Sequence, residues 1–376
     1  MIQIIFMVCL IGILFLFQHK YWERIWNDGL KVDLRFSSPE LTVGENGTLR
    51  ITVENDKKIP LPILMVKFQT DKHLMFGNEK GNATTDQFYH NDIFQIGAGE
   101  RVTRDLTFHG IRRGYFKINN VDLISGDILL SGQFYNSFQP NESVYVLPKP
   151  LDSNAFHMII QQIGGELLTR RNLYEDPFEL RGIREYQPFD SMKSINWKAT
   201  AKTGQFMVNQ KAYTAPKSVR IFLNLEDHHI FKNTDGLEDS ITIAADLVRY
   251  LYSQKIKVGI YCNAKDLETD APVLMKPCSL GENHLSSILR GLARADLEKP
   301  ALPFEKLMRN KLLKETDSVY TCFISPNQDP EFLNILFEFA SAGNHGWTWF
   351  YPVPGKYPMD DIPNQLRKNV KPVKMK

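Results

Sequence analysis

The chain opens on an apolar run, Met1 to Phe17, interrupted only by Gln3 and Gly12. As a helix this run measures about 25 Å, at the short end of what a bilayer core requires. Tyr21, Trp22 and Trp26 follow as an aromatic belt. Lys20, Arg24, Lys31 and Arg35 lie beyond the run, and no Lys or Arg precedes it. That asymmetry predicts a cytoplasmic location for the rest of the protein. A cleaved signal peptide would need a basic leader and a small-residue cleavage site after Phe17, and neither is present. Residues 1–26 therefore read as one transmembrane helix with its interfacial flank.

From Lys31 to Leu147 the period shortens to two. Leu49, Ile51 and Val53 alternate with Thr48, Arg50, Thr52 and Glu54 after a glycine turn at Gly44 to Gly47, and Val102 to Phe108 alternate likewise. Pro60 and Pro62 interrupt the run that lies between. The segment GIRRGYFKINNVDLISGD adds two strands around Asn119-Asn120. Short strands at this spacing predict an all-β, sandwich-like domain over 31–148.

Residues 149–180 read as a connector with one short helix pattern, Ala155, Met158, Ile159 and Ile163. Strands then alternate with helices. SVRIFLNLE is a buried strand, and Asp235 with Glu238 forms a capping box for a helix striped by Leu237, Ile241, Ala244, Ala245, Val248 and Leu251. Further strands fall at Ile256 to Cys262, Ser318 to Ser325 and Trp347 to Tyr351. One helix runs from Asn283 to Ala295, and another opens at Asp329-Pro330-Glu331 and is ended by Gly343. The order predicts an α/β domain over 181–353 with a mostly parallel sheet covered on both faces. Residues 354–376 read as a polar tail.

Composition narrows the function classes. The chain is 43% hydrophobic and 23% charged, and its 376 residues suffice for two domains behind a terminal element. A formal net charge of +2 gives no reason to expect nucleic acid as a partner. The four cysteines, at 9, 262, 278 and 322, show no CxxC and no metal-ligand spacing, and Cys262 and Cys322 fall inside strand patterns as core residues. There is no GxSxG, HExxH or GxxxxGK[ST]. A non-enzymatic role is expected, and no cofactor is implied. Three Asn-x-Ser/Thr sequons, at Asn46, Asn82 and Asn141, read as chance.

One stretch stands apart, RGIREYQPFDSMKSINWKATAKTGQFMVNQ, from Arg181 to Gln210. Asp190 is placed as an N-cap, Met192, Ile195 and Ala199 share a helical face, and Gly204 is placed to end the helix. Arg184, Tyr186, Asp190, Ile195, Trp197, Lys198 and Ala201 resemble the signature of a bacterial family known as domain of unknown function 58. Phe189 stands where that family has glycine, and Lys202 where it usually has arginine. Arg112-Arg113-Gly114 with Tyr115-Phe116, and Gly126-Asp127, resemble a second segment of the family, with Ile128-Leu129 in place of Pro-Phe. Two readings of the signature stay open. Arg184 can pair with Asp190 while Trp197 anchors the helix against the sheet; alternatively Arg184, Tyr186, Asp190, Trp197, Lys198 and Lys202 form an interaction surface of the aromatic and arginine type.

The resemblance carries further expectations. It implies a von Willebrand factor A-like, Rossmann-like α/β fold for the C-terminal domain, and a MoxR-type AAA+ ATPase as partner in an adaptor or assembly role. A working site of that fold places Asp-x-Ser-x-Ser at the end of the first strand to hold Mg²⁺. Here Asn224, Glu226 and His228 stand at those positions and do not reproduce it. Glu226, Asp227, His228 and His229 offer ligands for a softer divalent metal if Asp235 or Asp239 joins them, which keeps a metal-dependent hydrolase as an alternative. An envelope-facing binding module is the alternative if the topology is inverted.

Overall fold

A computed structural model of the chain describes residues 2–77, 83–84, 87–127, 129, 132–151, 156, 158–161, 175–188, 190–213, 218–228, 232–269, 271–312, 319–341, 346–353 and 362–375. The fold divides into two compact units, Met1–Lys149 and Pro150–Lys376.

The first unit begins with α1, Ile2–Ile25, which is long and apolar enough to cross a membrane. Among the described residues the strands that follow are β1 Leu30–Phe36, β2 Glu40–Thr42, β3 Asn46–Asn55, β4 Leu61–Asp71, β5 Leu74–Phe76, β6 Ala83–Thr84, β7 Gln87–Ile96, β8 Arg101–Gly110, β9 Gly114–Lys117, β10 Val121–Gly126, β11 Gln133–Phe138 and β12 Ser143–Leu147. They form a four-stranded sheet in the order β1-β3-β8-β5, a five-stranded sheet in the order β11-β10-β4-β7-β6, and a small third sheet, β2-β12-β9. The alternation of Leu49, Ile51 and Val53 holds, because all three sit in a core shared with Leu64, Val66 and Phe68 of the facing sheet. Pro62 falls where the β4–β7 register shifts between Leu61 and Leu64, as a residue without an N–H requires.

The limit at residue 26 needs correcting. Trp22 and Trp26 were expected at a membrane interface, yet they are only 2% and 6% exposed and belong to the core of the β unit. Trp26 stacks near Phe134, and its carbonyl accepts from Lys57 Nζ at 2.6 Å. The apolar residues up to Phe17 stay exposed, so the end of α1 divides between two environments.

The second unit contains a hairpin, β13 Glu175–Glu185 with β14 Met207–Tyr213, and a larger mixed sheet. The strands of that sheet are β15 Ser218–Leu223, β16 Lys257–Asp266, β17 Pro272–Ser279, β18 Ala295–Asp296, β19 Val319–Ile324, β20 Trp347–Val353 and β21 Val370–Lys374. Its helices are α2 Trp197–Thr203, outside the sheet, then α3 Thr234–Ser253, α4 Glu282–Arg294, α5 Phe304–Leu312, α6 Pro330–Ser341 and α7 Asn364–Arg367. The sheet order is β17-β16-β15-β19-β20-β21; β17 is antiparallel to β16, and the others along this path run parallel. Phe222, Tyr261, Phe323 and Trp349 share one core with Phe304 and Leu307 of α5 and Phe332 and Leu336 of α6. The alternate strand positions, Ile221, Ile260 and Cys322 among them, are buried as well, and α3 lies along the same strands with its own apolar stripe buried. Burial pushes the Cys322 thiol pKa well up, in keeping with an inert core residue.

Several boundaries differ from those expected. Residues 149–180 do not all connect, since β13 begins at Glu175. Residues 362–375 are not a tail. Ile362, Leu366 and Val370 join the α5–α6 core, and β21 adds to the sheet beside β20. Lys371 and Lys374, each directly after a buried valine, disguise this edge strand as polar chain. The α3 cap is Asn233, whose side chain accepts from Gly236 N–H, rather than Asp235. Ile159 lies in a helical stretch at 158–161, whereas Ala155 and Ile163 of that pattern lie outside the described residues.

Candidate functional site

In an open α/β sheet, ligands bind beyond the carboxyl ends of the strands where the chain reverses its order of addition. Here β16 is added on one side of β15 and β19 on the other, so the reversal falls between β15 and β19. The residues leaving β15 are Asn224, Glu226 and His228.

Asn224 is buried, and its N–H donates to the Ile324 carbonyl at 2.9 Å, joining the ends of the two strands. Its Oδ1 accepts from Glu226 N–H at 3.0 Å and from Asn263 Nδ2 at 2.9 Å. Asn263, fully buried at the matching level of β16, also accepts from Leu225 N–H at 2.8 Å and donates to the Leu302 carbonyl at 3.0 Å. Sequence reading passed over Asn263. The signal was there, an amide inside the apolar run IYCNA, where a buried polar side chain must find partners.

The Glu226 carboxylate also has structural work. Oε2 accepts from the Phe304 N–H at 3.2 Å, at the first residue of α5, and Oε1 lies 3.3 Å from His228 Nε2. A carboxylate at a helix start is favoured by the exposed N–H groups and the helix dipole. Asp227 accepts from Asn233 N–H at 2.7 Å, just before α3. A crevice of about 50 Å³ remains, with Glu226, His228, Asn327, Asp329 and Glu331 in its wall.

These residues do not fit a Mg²⁺ site of the Asp-x-Ser-x-Ser kind. The Asn224 oxygen is held by two hydrogen bonds, and one Glu226 oxygen is held by α5. Asp235 and Asp239 do not line the crevice, and His229 lies outside the described residues. Among the described residues no three His, Cys, Asp or Glu side chains are gathered as a metal would require.

The signature stretch builds a different kind of surface. Arg184 pairs with Val208 across the β13–β14 hairpin, and the 186–206 segment folds back on the hairpin's end. The Arg184 guanidinium meets Asp190 through two hydrogen bonds of 2.6 Å, and Gln187 N–H adds a third at 2.8 Å. These partners, the guanidinium first, hold the Asp190 carboxyl below the usual carboxylate range. Asp190 is thus a clamp, and the cap of α2 is Asn196, which accepts from Ala199 N–H at 3.0 Å and donates to Asn209 at 2.7 Å. Gly204 ends α2 as expected, in the left-handed conformation at φ 74°.

The Arg184–Asp190 pair of the first reading is present. Its other half is corrected: Trp197 is 65% exposed and does not pack α2 against the sheet. Its ring meets the edge of Phe206, which in turn meets Tyr186. Phe206, Met192 and Ile183 are also exposed, at 56%, 70% and 49%. Lys193, Lys198 and Lys202 are exposed beside them. Beneath lie Ile195 and Val208, both buried and bridged to each other. Phe189 lies outside the described residues.

The family comparison falls on this unit. Residues 182–316 match the family model described as "Protein of unknown function DUF58". A curated relative, "Uncharacterized protein YeaD" of Bacillus subtilis (strain 168), is 24% identical over 132 residues, covering 35% of this chain and 30% of the relative's length. Among solved structures, the sporulation control protein Spo0M of Bacillus subtilis aligns with a TM-score of 0.19 at 15% identity, over 42% of this chain and 58% of that one. The alpha-2-macroglobulin of E. coli aligns with a TM-score of 0.22 at 14% identity, over 32% and 7%. Overlaps this low carry no argument about fold or function.

Proposed function

Residues 182–316 match the DUF58 family; from that premise we propose that the protein is a non-enzymatic, membrane-anchored interaction protein whose signature surface docks a protein partner. The observation that carries this reading is the exposure of Trp197, Phe206, Met192 and Ile183 on a hairpin stiffened by the Arg184–Asp190 clamp. Aromatic and long apolar side chains on a rigid support, rimmed by cations, have the composition of binding hot spots. Lone exposed apolar residues need no explanation, but an exposed tryptophan packed on an exposed phenylalanine does.

The C-terminal unit is read as a von Willebrand factor A-like fold serving as scaffold. Its strand order, 3-2-1-4-5-6 when β15 is counted as first, with the third strand antiparallel, supports this. The partner proposed by family resemblance is a MoxR-type AAA+ ATPase, and α1, with basic residues on its inner flank, would hold the complex at the cytoplasmic face. The test is a photo-crosslinking residue at Trp197 in the full-length protein expressed in its own membrane. A discrete protein adduct that is lost when the crosslinker is moved to Tyr135, an exposed position of the other unit, supports the reading. The same pattern at both positions, or no protein adduct, removes it.

A further inference from the structure

The β13–β14 hairpin has two edges, and the segment from Ile195 to Thr200 covers that of β14. Tyr186 N–H donates to the Phe206 carbonyl at 2.8 Å, and in an antiparallel ladder such pairs recur at every second residue. Arg184 opposite Val208 and Gly182 opposite Gln210 therefore share the ladder, whereas Ile183 and Glu185 turn their N–H and C=O groups to the outer side of β13. The same alternation turns Met207 outward on β14, and there it is satisfied: its carbonyl accepts from Asn196 N–H at 2.8 Å, and its N–H donates to Thr200 Oγ1 at 3.0 Å. On β13 the Glu185 carbonyl takes Arg184 Nη1 at 3.0 Å. Among the described residues no strand or side chain meets the Ile183 N–H, the Ile183 carbonyl or the Glu185 N–H.

Those three groups form a template for a strand. Ile183 is 49% exposed, Glu185 is exposed, and a methyl group on Gly182 would meet nothing within 4 Å, so the edge is open to approach. Edge strands are normally guarded by proline or lysine, and those of the larger sheet are: β17 carries Pro272 and Pro277, and β21 carries Lys371, Pro372 and Lys374. The stretch Gly182-Ile183-Arg184-Glu185 has neither residue. A two-stranded hairpin also gains from a third strand, since two strands alone are marginal. The Arg184–Asp190 clamp fixes the end of β13, so an incoming strand meets a preformed edge.

We infer that the outer edge of β13 receives an extended segment of the docked protein as a third strand, with an apolar residue beside Ile183 and a lysine or arginine beside Glu185. The inference rests on the docking role of the signature surface. Ile183 and Glu185, two residues apart, present their side chains on one face, and Glu185 enters no ion pair among the described residues. A cation on the incoming strand complements it. A second copy of this chain fits poorly. Pairing two β13 edges antiparallel sets Glu185 against Glu185 or Arg184 against Arg184, or, centred on Ile183, meets the irregularity between Leu180 and Gly182.

The test uses the full-length chain in its own membrane, with the photo-crosslinking residue at Trp197. Ile183→Pro removes the outward N–H and leaves the β13–β14 ladder intact, because an edge strand tolerates proline where its N–H faces away from the sheet. The adduct is expected to fall about tenfold or more, against about fourfold or less for Ile183→Val, which keeps the N–H and loses one methylene. Glu185→Lys should lower it about fivefold. If Ile183→Pro loses no more adduct than Ile183→Val, or Glu185→Lys leaves the yield unchanged, the inference is overturned and the docking reading stands. An adduct with the mass of two copies of this chain also overturns it. If the parent chain forms no protein adduct, both fall. Melting temperatures are measured alongside, and should Ile183→Pro fail to fold, Glu185→Lys decides alone.

Discussion

Arg184 and Asp190 meet fork to fork, Nη1 to Oδ2 and Nη2 to Oδ1, each at 2.6 Å. The pair ties the end of β13 to the turn that launches the signature helix. Because the Asp190 carboxyl is held below the usual range, its contribution is complete above the pKa of a free aspartate. It is lost as pH falls through the lowered folded value. Acidification through and below the ordinary carboxylate range should release the 186–206 segment before the sheet unfolds. Amide exchange of Gln187, followed against pH, reads this directly, and Asp190→Asn should show the released exchange rate already at neutral pH.

Trp197→Ala should change stability by no more than about 0.5 kcal/mol, since the ring is exposed. It should nevertheless abolish capture of the partner. Trp349→Ala is the contrasting variant, because that ring is fully buried and donates to the Ser325 carbonyl at 3.1 Å. A loss of about 3 to 5 kcal/mol is expected there. Denaturant midpoints and pull-down yields on the two variants separate folding from docking.

Asp239 lies among Asp235 and Glu238, and burial first, then those charges, pushes its pKa up to about 6. A raised carboxylate pKa destabilises the fold at neutral pH, and the penalty eases as pH drops from above 6 toward 4. Asp239→Asn should raise the melting temperature at pH 7, with a gain on the order of 1 to 2 kcal/mol after solvent screening. At pH 4 the gain should vanish, and equal gains at both pH values would show that charge is not the cause.

The α1 boundary gives a truncation test. Removing residues 1–17 takes away only exposed apolar surface, and the remainder should be soluble and cooperatively folded. Removing residues 1–26 also empties the places of Trp22 and Trp26 in the β core, at a cost of about 3 to 5 kcal/mol for each ring. Thermal melts of the two truncated chains should differ by many degrees.

Chelation should leave the melting temperature of the C-terminal unit unchanged, because the groups that would bind a divalent ion already hold α5 and the strand ends together. Only a ligand that favours the folded state raises a melting temperature. A rise produced by Mg²⁺ and absent in Glu226→Gln would contradict this account of the crevice.

The parts of the fold legible in sequence are those in which one force dominates. Leu49, Ile51 and Val53 alternate because one face of β3 is buried, and the α3 stripe repeats at helical spacing for the same reason. The parts that escaped are those in which two forces compete. β17 carries Pro272 and Pro277 and was missed, although an edge strand tolerates proline where a central one does not. β21 looks like tail because Lys371, Pro372 and Lys374 outnumber its two valines. Hydrophobicity leaves Trp197 open between a core anchor and a surface, and the seven-residue helix capped by Asn196 and Gly204 decides for the surface, because it is held by its polar ends. At the strand ends Asn224 and Glu226 were identified, yet their roles depend on Asn263 and Phe304, which are distant in the chain.

The helix α1 passes into the N-terminal unit as a single element, with Trp22 and Trp26 embedded and no hinge between. A helix so fixed cannot lean without carrying the unit along. A lean of about 20°, ordinary for a membrane helix, would sweep a point about 30 Å from the bilayer sideways by about 10 Å. In the proposed membrane-anchored protein, the short apolar run would favour an upright helix in a thick bilayer and a greater lean in a thin one, so lipid thickness would decide which way the N-terminal unit faces.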